Sequence, residues 1–192
     1  MAKIKVSAGQ LDVFINKGLA AAGTTQVDIM GHSQAGLVNE KDGWSCQGSQ
    51  DWGVGAPATH GTSVSGIVEL GRSLNLYDPA TKVLNEFYAS CMQMVYDSTF
   101  LKDLSKDGNT SPGVKYFYLA TKYDEVVTPY TRSFLRHTNA NVTNAVIQDY
   151  CEKDITEHVL LFVNPLAFNI LENFFSPSPK PQEFDCLTFF DK

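Results

Sequence analysis

The sequence lacks the features of a membrane-spanning, nucleic-acid-binding or zinc-binding protein. No apolar run reaches about 18 residues, the length that a membrane-spanning helix needs. Its 15 Lys and Arg residues are outnumbered by 21 Asp and Glu residues, and they form no basic stripe that could displace counterions from nucleic acid. The four cysteines include no C-x-x-C pair, the spacing typical of zinc sites. Residues 1–6 do not have the pattern of a signal peptide. We therefore expect no transmembrane segment, no nucleic-acid partner and no metal.

The composition is that of a packed globular protein, with 43% hydrophobic and 11% aromatic residues. An even number of cysteines allows two disulfides in any of three connectivities. Glycosylation sequons begin at Asn109 and Asn141. Together these features favour an extracellular protein.

Hydrophobic periodicity predicts alternating helices and strands. Such alternation indicates the α/β class, with a parallel sheet flanked by helices, in one domain over residues 1–192. The segment 176–192 is a proline-rich tail that we expect to run loosely over the surface. The predicted elements are helices over 7–22 (stopped by Gly23), 64–74, 80–96 and 166–174, and strands over 27–30 and 114–121.

The segment 31–36 reads Gly-His-Ser-Gln-Ala-Gly and directly follows the first predicted strand. A strand, a sharp turn at serine and then a helix form the nucleophile elbow of serine hydrolases, and small flanking residues let the two backbones approach closely. Ala35 replaces the last glycine of the usual G-x-S-x-G form, a difference of one methyl group. The pattern predicts Ser33 as nucleophile and the backbone N–H of Gln34 as an oxyanion donor.

A serine nucleophile needs a base that is itself oriented by an acid. Asp124 follows the strongest predicted strand at its carboxyl end, where α/β sheets present functional groups. His158 precedes an apolar stretch, as a base on a loop would. Taken alone, Asp124 could simply form a turn and His158 could be structural. The order Ser33, Asp124, His158 is nevertheless the order of α/β-hydrolase triads.

Four segments of the chain resemble class 2 extracellular triacylglycerol lipases. They are the elbow at 27–34, the following loop at 56–62, the acid segment at 121–130 and the stretch 148–158 that leads to the base. The resemblance implies an α/β-hydrolase fold that cleaves lipid esters through an acyl-enzyme, without a cofactor.

The same resemblance implies specific roles. It assigns the acid to Asp124 and the base to His158, and it pairs Cys91 with Cys151 in a disulfide. The implied substrate is a lipid or another ester, with transient contact to a lipid interface. We further expect an extracellular monomer.

The chain departs from this family in two places. It begins at the helix predicted over 7–22, so the family's preceding strands and its His-Gly oxyanion loop are missing. We therefore expect an α/β-hydrolase domain truncated before that helix. Residues 38–55 show no periodicity. We interpret 38–55 as an aberrant segment, translated in a shifted frame, which would make Cys46 accidental. Cys186 has no assigned partner.

These departures keep an alternative open, namely a catalytically impaired lipase remnant or a lipid-binding module. A soluble α/β interaction protein without a site is a third reading. Of the other histidines, His32 occupies the variable position of the elbow and His60 lies in a Gly/Thr turn, and we interpret both as structural. His137 is expected on a solvated loop.

Overall fold

A computed structural model describes residues 3–37, 49–78, 81–82, 88–106, 108–136, 141–177 and 186. Its described part contains a four-stranded sheet in the order β1-β2-β3-β4, with every neighbouring pair parallel. Because parallel strands all end at the same edge, the segments after them meet there. The strands are β1 (Val27–His32), β2 (Ser49–Gly55), β3 (Lys115–Ala120) and β4 (Val142–Val146).

Helices pack on both faces of the sheet, which confirms the predicted α/β class. The first helix ends as predicted, because Gly23 adopts a φ of 65° that only glycine reaches without strain. Of the helix predicted over 80–96, the described residues 81–82 and 89–93 are helical, whereas 94–96 are not. Among the described residues no helix is both long and apolar enough to cross a bilayer. The helices are α1 (Ile4–Ala22), α2 (Ile67–Ser73), α3 (Ala89–Gln93), α4 (Thr99–Ser105) and α5 (Pro165–Phe175).

Alternate side chains of β3 enter two separate apolar clusters. Tyr116 and Tyr118 face α1, whereas Phe117 and Leu119 face α5. Burial on both faces is the normal state of a central parallel strand. Other members of the α1 cluster are Ile15, Ile29, Trp52, Val54 and Leu135; those of the α5 cluster include Ala145, Ile147, Leu161, Leu166, Ala167, Ile170 and Leu171.

Strand β2 lies inside the segment that showed no periodicity. Trp52 and Val54 are buried against the α1 side, while Gly53 lies under α5. A Cβ at position 53 would lie 2.8 Å from the ring of Phe175, so the helix can approach only because this residue is glycine. Residues 38–48 lie outside the described residues, and the frame-shift interpretation of 38–55 stays a prediction.

The disulfide predicted between Cys91 and Cys151 is wrong. Cys151 is buried at the end of the turn after β4 and is bonded to Cys186, with 5.2 Å between their Cα atoms. Cys91 lies exposed in α3 as a free thiol. The tail cysteine that had no assigned partner is therefore the one that reaches Cys151, and Cys46 lies outside the described residues.

Candidate active site

Ser33 lies at a sharp turn directly after β1. Its φ of 54° is in the left-handed region, which costs a residue with a side chain roughly 1–2 kcal/mol. The chain continues as a short 3-10 helix over Ser33–Leu37, with Gln34 half-buried as its second residue. The strand and strained serine turn predicted from the sequence are both present.

Small residues allow this turn. A Cβ on Gly31 would lie 3.2 Å from the Cβ of Ala35, so the extra methyl of Ala35 is accommodated because position 31 has none. A Cβ on Gly36 would lie 2.4 Å from the Cβ of Pro57, so any side chain there would displace the loop after β2. The replacement of the motif's last glycine by alanine is thus compatible with the turn.

Asp124 follows β3 at the same edge of the sheet, and its side chain is buried. One carboxylate oxygen, Oδ1, accepts hydrogen bonds from the backbone N–H groups of Val126 at 2.9 Å and Val127 at 2.7 Å. These bonds fix the carboxylate and leave Oδ2 for a different partner. Asp124 is therefore a buried, hydrogen-bonded carboxylate and not a solvent-exposed turn residue.

The loop that carries Asp124 is held by the loop after β2. The Thr62 hydroxyl donates to the carbonyl of Val126 and accepts from the backbone N–H of Thr128 at 3.0 Å. The Ser65 hydroxyl donates to the carbonyl of Glu125 at 2.8 Å. Ser65 adopts a φ of 51°, so this supporting loop is itself strained.

His158 joins the other two side chains. Its Nδ1 lies 2.9 Å from Asp124 Oδ2, and its Nε2 lies 2.9 Å from Ser33 Oγ. A carboxylate can only accept, so Nδ1 carries the proton and Nε2 accepts from the Ser33 hydroxyl. The structure therefore brings all three predicted residues into one hydrogen-bonded chain, in which the imidazole can take a proton from the serine.

A buried polar network holds the loop before His158. The Thr121 hydroxyl donates to the carbonyl of Thr156, and the Gln148 amide donates to Thr121 Oγ1 and to the carbonyl of Asp154, both at 3.0 Å. The Asn164 amide donates to Asp154 Oδ2 at 2.9 Å and to Thr156 Oγ1 at 2.6 Å. The base is thus carried on a fully connected network and not on a loose loop.

Glu157, the neighbour of His158, caps the turn that follows. Its carboxylate accepts from the backbone N–H groups of Val159 at 2.7 Å and Leu160 at 2.8 Å. Although burial favours the neutral acid, these two hydrogen bonds hold the pKa of Glu157 below its usual value of 4.5. The charge of His158 adds to this lowering of the Glu157 pKa.

His32 also contacts the site, and its interpretation as a structural residue stays a prediction. Its Nε2 lies 2.9 Å from the backbone carbonyl oxygen of His158, and the two ring centroids are 4.9 Å apart. Burial, followed by the charge of His158, lowers the pKa of His32 below 6.5. No sequence signal could have revealed this contact, because His32 occupies the variable position of the elbow motif.

An apolar cavity of about 570 Å³ adjoins the elbow. Its walls come from β1, from α5 and from the turn before α5. Phe162 and Phe168 at its rim are exposed. Its lining residues are Met30, Gly31, His32, Ala35, Gly55, Leu119, Leu161, Phe162, Ala167, Phe168 and Leu171.

The remaining candidates lie away from this constellation. Asn109 is half-buried and Asn141 is exposed, and their glycosylation stays a prediction. His60 lies in the loop after β2, and His137 lies outside the described residues. Within the described ranges, no group of three or more His, Cys, Asp and Glu residues is placed to hold a metal ion.

The fold is shared with solved structures that include two lipases. Aspergillus fumigatus lipase B superposes with a TM-score of 0.62 at 19% identity, over 86% of this chain and 40% of that one. The lin2722 gene product of Listeria innocua gives 0.56 at 14% identity, over 95% and 70%. Bacillus licheniformis lipase BlEst2 gives 0.51 at 13% identity, over 75% and 66%. These likenesses show an α/β-hydrolase fold, and the chain spans 40% of the length of the Aspergillus lipase.

Sequence comparison identifies the family. No curated protein matches the chain in sequence. The family model described as lipase (class 2), however, matches residues 9–164, which is most of the chain and includes the elbow, the acid segment and the base. The chain therefore belongs to the class 2 lipase family.

Proposed function

We propose that this protein is a serine hydrolase that cleaves the carboxylic esters of lipids. The observation that carries the proposal is the hydrogen-bonded chain from Asp124 through His158 to Ser33. A nucleophile, a base within hydrogen-bonding reach and a group that orients the base are the three parts that acyl transfer by serine requires. Membership of the class 2 lipase family supports the same reaction.

The reaction has two halves. Ser33 Oγ attacks the ester carbonyl carbon while its proton passes to His158 Nε2; the carbon–oxygen bond to the alcohol then breaks and the alcohol leaves with that proton. His158 next takes a proton from water, whose oxygen attacks the acyl-enzyme, and returns it to Ser33 Oγ as the acid leaves. Asp124 stays ionised and stabilises the imidazolium, and the backbone N–H of Gln34 donates to the oxyanion.

The surroundings of the site support a lipid substrate. The cavity beside the elbow is lined almost entirely by apolar side chains, which suits an aliphatic group better than a polar one. Phe162 and Phe168 line the cavity, and their exposed side chains suit transient contact with a lipid interface. The disulfide of Cys151 with Cys186 supports an oxidising, extracellular location. That the protein is a monomer is part of the same proposal.

Hydrolysis of p-nitrophenyl esters of increasing acyl length tests the proposal. We expect Ser33→Ala to lower turnover by about a million-fold, as loss of the nucleophile does in serine hydrolases. Ser73→Ala, a change at an exposed serine of α2, is the matched control and should leave turnover unchanged. A folded protein that binds lipid but hydrolyses no ester would favour the impaired remnant or lipid-binding module instead.

A further inference from the structure

His32 connects the strand that carries the nucleophile to the loop that carries the base. It is the last residue of β1 and precedes Ser33, yet its side chain contacts residue 158. The elbow therefore touches His158 twice: Ser33 at the imidazole Nε2, and His32 at the backbone carbonyl. A base held at both its ring and its main chain has little freedom to turn away from the serine.

The contact defines the tautomer of His32. A backbone carbonyl can only accept, so Nε2 of His32 carries the proton and donates it at 2.9 Å. In the neutral ring Nδ1 is then unprotonated. The centroid of the His32 ring lies 5.8 Å from that of the Phe162 ring, on the side that faces the cavity. This neighbour limits rotation of the His32 ring.

Burial favours the neutral form of His32. The ionisable groups that act on it are His158, Asp124 and Glu157. Burial, and then the charge of His158, lower the pKa of His32, whereas the hydrogen bond to the carbonyl of His158 and the two carboxylates oppose this shift. A neutral His32 adds no second positive charge 4.9 Å from the imidazole when His158 takes the proton of Ser33.

We propose that His32 is a positioning residue that holds the main chain of His158, and thereby aims its imidazole at Ser33. The inference rests on the proposed function only for its catalytic consequence, because the hydrogen bond itself can be observed without turnover. This role requires, at position 32, a side chain whose N–H donor extends as far from the main chain as Nε2 of histidine does. Glutamine supplies such a donor, and phenylalanine fills the ring volume without one.

The test compares His32→Gln with His32→Phe by NMR and by kinetics. In the wild-type protein and in His32→Gln, we expect the downfield proton resonance of His158 Nδ1–H, and in His32→Phe we expect it broadened or lost. Phe at position 32 should lower kcat about 100-fold with little change in KM, because a misplaced base slows chemistry and not binding. Glutamine should restore kcat to within about threefold. Asp28→Asn, at an exposed position of the same strand β1, is the control and should change neither readout.

The possible results separate the two proposals. A folded His32→Phe protein with an unchanged His158 resonance, or with wild-type kcat, overturns the role of His32. If the wild-type protein hydrolyses no ester, the proposed function fails, and the resonance alone then decides the role of His32. Should the phenylalanine variant not fold, His32→Leu, which also lacks a donor, takes its place with the same expected outcomes.

Discussion

The Nε2 atom of His158 lies 2.9 Å from the Oγ atom of Ser33, although 125 positions separate the two residues in sequence. The contact exists because β1 ends at His32, directly before Ser33, and the segment after the parallel strand β4 emerges at the same edge of the sheet. The distance is short enough for direct proton transfer from the hydroxyl to the imidazole. It is the geometric basis for a serine nucleophile in this chain.

Replacing Asp124 by Asn should lower kcat by about 10,000-fold. The amide oxygen can still accept from Val126 and Val127, so the amide nitrogen faces Nδ1 of His158. That contact favours the tautomer with a proton on Nε2, which cannot accept from the serine. Ester hydrolysis at substrate saturation measures the effect. Asp149→Asn, at an exposed aspartate beyond β4, is the control, and equal kcat in the two variants would remove Asp124 from the mechanism.

Replacing Asn164 by Ala should lower the free energy of unfolding by about 3 kcal/mol. The side chain caps α5 by accepting from the backbone N–H groups of Leu166 and Ala167, and its amide donates to Asp154 and Thr156. Its loss leaves a buried carboxylate oxygen without this donor. Urea denaturation measures the change. Asn169→Ala on the exposed side of the same helix should change stability little, and an equal loss in both variants would contradict the importance of the network.

Replacing Glu157 by Gln should cost about 1 kcal/mol of stability at pH 7, a modest value because the partly exposed carboxylate is screened by solvent. The pKa of Glu157 is lower in the folded protein than its usual 4.5. Below pH 4.5 the unfolded chain therefore binds a proton at Glu157 more readily than the folded protein does. The stabilisation by the ionised Glu157 carboxylate is complete above pH 4.5 and is lost as the pH falls through the folded-state pKa. Denaturation of both proteins between pH 3 and 7 should show their difference shrinking only in the acid range. A difference independent of pH would refute the ionic cap.

Replacing Cys186 by Ser should lower the free energy of unfolding by about 2–4 kcal/mol, since the disulfide with Cys151 spans 35 positions. Cys91→Ser should have little effect, because this thiol is free and exposed. Thermal unfolding of both variants without reductant measures the difference. Peptide mapping should recover Cys151 linked to Cys186, and a peptide that links Cys91 to Cys151 would contradict the pairing.

The parts of the fold that were predicted from the sequence are those with strong local signals. Helix α1 and its end at Gly23 follow from apolar spacing and a glycine stop, and the turn at Ser33 follows from small residues after a strand. Strand β2 gave no such signal. Its Trp52, Gly53 and Val54 are buried on both faces, so no alternation of polar and apolar residues marks them as a strand.

The parts that were not predicted depend on tertiary contacts. The partner of Cys151 is decided by where the tail passes, and no spacing in the sequence specifies that path. His32 sits at a motif position that tolerates many residues, and only the folded loop shows that it donates to residue 158. The structure places Asp124 and His158 in hydrogen-bonding contact, while their catalytic roles stay predictions.

The central claim is that Ser33 is a nucleophile activated by His158, and a fluorophosphonate probe tests it most directly. The probe forms a covalent bond only with an activated serine, so mass spectrometry of the labelled, digested protein should locate one adduct on Ser33. The adduct should be lost in His158→Ala, which keeps the hydroxyl but removes its base. A soluble, folded protein that stays unlabelled, or one that labels equally well without His158, would contradict the account.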